Sequence, residues 1–160
     1  MVCVMTEPRW LDAQEMRAWR GLIGTNRLLF EQINRELSRR SGLSAADYEV
    51  LVQLSEAPER RLRMSELATQ SLSSKSRLSH QVSRLERLGW VRREECPTDR
   101  RGAFAALTDE GFGILEEAAK GHVEDVRRHL FDRLTNEQVA SLAEITATLN
   151  TYLETVVERD

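Results

Sequence analysis

No stretch of this 160-residue chain approaches the roughly 20 apolar residues that cross a bilayer, and the opening MVCVM is too short and uncharged for a secretion signal. The expectation is a cytoplasmic protein with no membrane partner. Cysteine is scarce: Cys3 and Cys96 have no CxxC spacing, which fits a reducing compartment and argues against a structural zinc site. Only three histidines are present. His122, Asp125 and His129 share a helical face at steps of three and four, but three ligands spread along one helix seldom converge on an ion, so no metal is expected. There is no GxSxG, P-loop or HExxH, so neither enzyme chemistry nor a cofactor is indicated. Repeats and low-complexity tracts are missing as well. The whole-chain charge of −3 gives no hint of a polyanionic partner.

The charge is unevenly distributed. Residues 60 to 101 hold eleven cations against five carboxylates, a net of +6, which leaves −9 for the remainder. Such an arrangement steers a polyanion to one surface of an otherwise repelling molecule. Within the basic segment, Leu78, Val82, Leu85 and Leu88 form one apolar helical stripe. Ser76, Arg77, His80, Arg84 and Arg87 fall in a sector of about 100° largely opposite it. Trp90 to Glu95 and Ala103 to Leu107 read as extended runs around a turn-rich loop, Cys96 to Gly102, which puts Arg100 and Arg101 at a hairpin tip. A helix with a cationic face followed at once by a basic hairpin is the pattern of a DNA-reading winged helix.

Capping signals place the other elements. Asp12 with Glu15 starts a long helix that runs to about Arg40 and stops at Ser41-Gly42. Ser44 with Asp47 starts a second, closed by Pro58. Leu62 to Met64 reads as a short strand, Ser65 as the cap of a helix over Glu66 to Gln70, and Ser73 or Ser74 as the cap of the basic helix, which Gly89 ends. Thr108 begins a helix with Phe112, Leu115, Ala119, Val123, Val126, Leu130 and Phe131 on its apolar side. Thr135 with Gln138 begins the last, which carries Val139, Leu142, Ile145, Leu149, Leu153 and Val156.

The expected fold is mainly α: a winged helix-turn-helix of about six helices and a two- to three-stranded wing sheet. It divides into a dimerisation helix (1–43), a DNA-binding region (44–108) and C-terminal dimerisation helices (109–160). The terminal helices hold more apolar face than the small central core can cover. Two-fold pairing would cover it and set two recognition helices about one DNA turn apart. The alternative is a helical hairpin folded back on its own domain.

MSELA at 64 to 68, VSRLERLGWV at 82 to 91, DRR at 99 to 101 and LTDEG at 107 to 111 occur in an order that resembles the MarR family of bacterial transcriptional regulators over essentially the whole chain. The resemblance implies a homodimeric winged helix-turn-helix repressor that binds a palindromic operator in double-stranded DNA. By position, Ser76, Arg77, His80, Gln81 and Arg84 would face the major groove, with Ser74 and Lys75 on phosphate. Arg100 or Arg101 would enter the minor groove, with Asp99 holding the wing in place. A small lipophilic or phenolic effector is also implied, for which Trp10, Trp19, Phe30, Tyr48 and Arg20 are the candidate lining. Two alternatives stand beside this reading: redox sensing through Cys3, and an architectural DNA-binding protein without operator preference.

Overall fold

The computed structural model describes residues 8–71, 73–96 and 99–157, without the side chains of Cys96, Asp99, Arg100, Arg101 and Val157. Helix α1 (Ala13–Ser41) opens with a full capping box: Asp12 accepts from the amides of Gln14 and Glu15 while Glu15 reaches back to the Asp12 amide. Gly42 closes it, and Ser44 and Asp47 form the reciprocal cap of α2 (Ala45–Glu56). A 3-10 turn at Pro58–Arg60 leads into strand β1 (Arg61–Arg63). Helix α3 (Met64–Gln70) follows, beginning two residues ahead of the Glu66 start expected from a Ser65 cap, because Glu66 satisfies the Arg63 amide at 3.1 Å.

The basic helix α4 (Lys75–Arg87) is capped by Ser74, whose hydroxyl accepts from the Arg77 amide. Leu78, Val82 and Leu85 on its inner face are fully buried. Leu88, expected to continue that stripe, is instead 43% exposed at the helix end, where the chain turns away through Gly89. Strands β2 (Val91–Cys96) and β3 (Asp99–Leu107) form the wing hairpin, and β1 pairs with β3 to complete an antiparallel sheet of order β1-β3-β2. Leu43, Leu51, Leu54 and Leu67 join the α4 leucines, Val91 and Ala105 in one core.

Helix α5 (Asp109–His129) is clamped to the end of α4. The Thr108 hydroxyl donates to the Gly89 carbonyl at 2.7 Å and accepts from the Gly111 amide at 3.0 Å, and the Thr108 amide donates to the Trp90 carbonyl at 3.1 Å. A Cβ on Gly111 would lie 2.1 Å from the Trp90 carbonyl oxygen, so only glycine permits this approach. The LTDEG segment is thus a mechanical joint. From there α5 runs along α1, and after a 3-10 turn at Phe131–Arg133 the chain enters α6 (Asn136–Val157), nearly all of it exposed. Among the described residues no helix is long and apolar enough to cross a membrane.

The α5 stripe departs from expectation. Leu115 and Ala118 are buried, but Val123 is 56% exposed and the next buried side chain is Asp125. Asp125 accepts from Arg40 and Arg128, each at 3.0 Å. Buried Glu36 accepts from Gln32 (2.6 Å) and Arg128 (3.2 Å) and lies 3.0 Å from His129 Nε2. Asp125, then Gln32 and His129, hold the Glu36 carboxylate down to about 2, whereas burial, followed by the neighbouring Glu36, raises Asp125. Glu36, Asp125 and His129 present donor atoms within 4.8 Å of one another, but two guanidinium groups already balance both carboxylates. This is an internal ion-pair network joining α1 to α5. His122, placed with Asp125 and His129 by spacing, instead meets the Tyr48 ring at 4.5 Å.

Candidate nucleic-acid interface

The outer face of α4 is built by its inner one. With Leu78, Val82 and Leu85 seated in the core, helical geometry turns Ser74, Lys75, Ser76, Arg77 and His80 to solvent, and all five are exposed. Among the described residues, no ion pair engages Lys75 or Arg77. Two long cations, two hydroxyls and an imidazole therefore share one open surface at a helix N-terminus, where the amide dipoles add to the positive potential.

Two expected members of this face are arranged differently. Arg84 pairs with the buried carboxylate of Asp47, which also accepts from the Ser44 hydroxyl, so this guanidinium ties the recognition helix to the start of α2. Gln81 is half-buried beside Arg77 and His80, and its amide nitrogen is covered by protein without a hydrogen-bond partner among the described residues.

The wing also differs in register. Glu95 pairs with Ala103 and Cys96 with Asp99, so Arg100, Arg101 and Gly102 form a bulge on β3 with no counterpart on β2. The pairing extends further out than the loop expected over Cys96 to Gly102. Both arginines therefore sit in a bulge just below the turn, a feature that bends a strand and re-aims its side chains. The side chains of Asp99, Arg100 and Arg101 lie outside the described residues.

Several cations of the basic segment are already occupied. Arg61 and Arg92 share Glu94 at 3.3 and 2.8 Å, and the Arg92 contact leads in holding that carboxyl below its usual range. Arg60 covers the Phe112 ring at 3.8 Å and reaches Asp109 at 3.4 Å. Counting charges along the chain missed this, because Asp47, Glu59 and Asp109 come from outside the basic segment.

The matches to known proteins agree with this architecture. The model of the MarR family matches residues 41–102. Sco3205, a MarR family transcriptional regulator from Streptomyces coelicolor solved in complex with DNA, is 52% identical, with 90% of each chain covered and a TM-score of 0.85. The chain belongs to the MarR family. Membership makes it a DNA-binding transcription regulator and not an enzyme. Among curated relatives, the regulator PecS of Dickeya dadantii (strain 3937) is 30% identical over 67% of this chain. That alignment spans 65% of PecS. The repressor MdtR of Bacillus subtilis (strain 168) is 32% identical over 79% of this chain and 82% of its own length.

The residues suggested for an effector do not converge. Trp10, Trp19 and Phe30 are 84%, 53% and 59% exposed, and Trp19 and Phe30 are about 16 Å apart along the α1 axis. Arg20 is exposed on the same helix, whereas Tyr48 packs against the core beside His122. A cavity of about 620 Å³ opens elsewhere, between the C-terminal part of α1 and α5, lined in part by Arg40, Ile114 and His122. Cys3 lies outside the described residues.

Proposed function

We propose that this regulator acts as a homodimeric repressor that binds a palindromic operator. The observation that carries this is the outer face of α4: Lys75, Ser76, Arg77 and His80 stand open on a helix whose opposite side is locked in the core. Arg77 is long enough for bidentate contact with guanine, while Ser74, Ser76 and Lys75 suit phosphate. Arg84 enters the major groove only by leaving Asp47, and Gln81 offers its amide nitrogen there only by turning it outward. Arg100 or Arg101, presented by the wing bulge with Asp99 beside them, follows the negative potential of a narrow minor groove.

Residues 44–108 serve as the DNA-binding unit, and residues 1–43 and 109–160 as the dimerisation arms. Support for pairing comes from Trp19, Ile23, Ile145, Leu149 and Leu153, all between 43% and 58% exposed in the single chain. MdtR, a repressor by name, supports the direction of regulation. Release by a small lipophilic or phenolic effector finds its best support in the α1–α5 cavity, because His122 in its lining packs against Tyr48 of the DNA-binding unit.

Selection on random duplexes tests the reading. An inverted repeat with half-site centres about 34–36 Å apart is expected. Weak, uniform binding to all duplexes would establish the architectural alternative and overturn this one. With the recovered operator, Arg100→Ala with Arg101→Ala should weaken binding and reduce the salt dependence by about one to two phosphate equivalents.

A further inference from the structure

Arg93, one of the cations of the basic segment, is exposed, yet its guanidinium is held by α4. From the middle of β2, its Nη2 donates to the Ser79 carbonyl at 2.9 Å, the Ser79 hydroxyl at 3.2 Å and the Ser83 hydroxyl at 3.0 Å. Its backbone amide donates to Glu86 Oε1 at 3.2 Å. Ser79, Ser83 and Glu86 follow one another at steps of four and three on α4, so a single residue of the wing grips two turns of the recognition helix. The contact is chiefly directional: the ion pair of Arg93 with Glu86 is long, at 4.0 Å, and its close side-chain acceptors are neutral.

Beside this grip lies a groove of about 490 Å³ between the start of α3, α4 and the wing, lined by Lys75, Ser79, Arg93, Gly102 and Ala103 among others. A helix in the major groove and a wing in the adjacent minor groove must straddle the sugar–phosphate strand that separates the two. Arg93 faces Ala105 across the hairpin, three residues below Cys96, so the hairpin end is about 10 Å beyond the grip. At that radius a rotation of about 10° moves the tip by nearly 2 Å, enough to break hydrogen-bond geometry at a groove floor.

We propose that Arg93 is a positioning residue that sets the span between the recognition helix and the wing, so that the DNA strand between them passes through the groove it walls. The proposal rests on the reading that the wing enters the minor groove. The test compares Arg93→Ala, Arg93→Lys and the Arg100→Ala, Arg101→Ala double variant on the operator recovered by selection. Thermal unfolding, affinity and hydroxyl-radical footprints are recorded for each.

Both Arg93 variants should unfold within a few degrees of the parent yet bind about tenfold more weakly. Their footprints should lose the outer minor-groove protection and keep the central major-groove protection. Lysine retains the charge, but its side chain is one bond shorter and lacks the planar fork, so its ammonium does not reach the place from which Nη2 serves Ser79 and Ser83. Rescue by Arg93→Lys would therefore reduce Arg93 to a phosphate contact and overturn the proposal. Should Arg93→Ala not fold, Ser79→Ala with Ser83→Ala removes the acceptors instead and must reproduce the footprint change. If the wing double variant weakens binding while the Arg93 variants bind and footprint like the parent, positioning alone fails. If the wing double variant binds like the parent, the minor-groove reading itself fails, and the proposal with it.

Discussion

Leu78, Val82 and Leu85 on α4 are fully buried, whereas Ile145, Leu149 and Leu153, in a similar row on α6, are 58%, 43% and 50% exposed. Both rows make the same demand on water. Only the first is answered within the chain, by the leucines of α1 to α3 and the wing sheet. Periodicity says which face must be covered and is silent about whose surface covers it. The α4 row is therefore covered within the chain, whereas the α6 row stays open, as the proposed symmetric dimer requires.

The largest expected effect tests the complete half. Leu85→Ala opens a cavity in the central core and should cost about 3 kcal/mol in urea unfolding; a loss below about 1 kcal/mol would show that this core is less tightly packed than its burial implies. Next comes the unfinished half. Ile145→Glu with Leu149→Glu should convert the protein to a monomer in sedimentation and weaken operator binding about 100-fold through loss of the second half-site. An unchanged sedimentation coefficient would remove α6 from the interface and dissolve the contrast between the two rows.

The smallest effect lies at the seam between them. Burial holds the His122 imidazole below its ordinary range, so the folded protein takes up a proton there less readily than the unfolded chain. This contribution is present above about pH 6.5 and is lost as pH falls below it. The parent should lose a few degrees of melting temperature between pH 7 and pH 5.5, and His122→Gln should lose less. The Glu36 contribution lies lower, fading as pH falls from about 4.5 toward about 2, so the two windows separate.

Local features were readable from residues alone: the Asp12 and Ser44 boxes, the α4 core row and the Thr108 and Thr135 caps all rest on partners within a few positions. Partnerships across the fold were not. Asp47 takes Arg84, Ser79 and Ser83 take Arg93, and Glu36 takes Arg128 and His129, at separations that no helical period encodes. The one available signal for Arg93 was a pair of serines at a step of four on a basic helix, facing neither the apolar row nor its opposite. Leu88 misled because the stripe that contains it outlasts the helix. The wing bulge escaped notice because turn-forming residues at 97 to 102 look alike whether they close a loop or interrupt a strand.

The absence of a side chain at position 111 turns the α4–α5 junction into a fulcrum. Helix α5 is about 31 Å long, and its first turn bears directly on the Trp90 carbonyl with nothing between to absorb a displacement. A tilt of about 5° about that point carries the far end, with the Asp125 network attached, through nearly 3 Å. Any such tilt would be smallest at the junction with α4 and largest at the far end of α5, where Arg40 and Arg128 hold Asp125. A methyl group at that bearing would pry the two helices apart before any lever could swing.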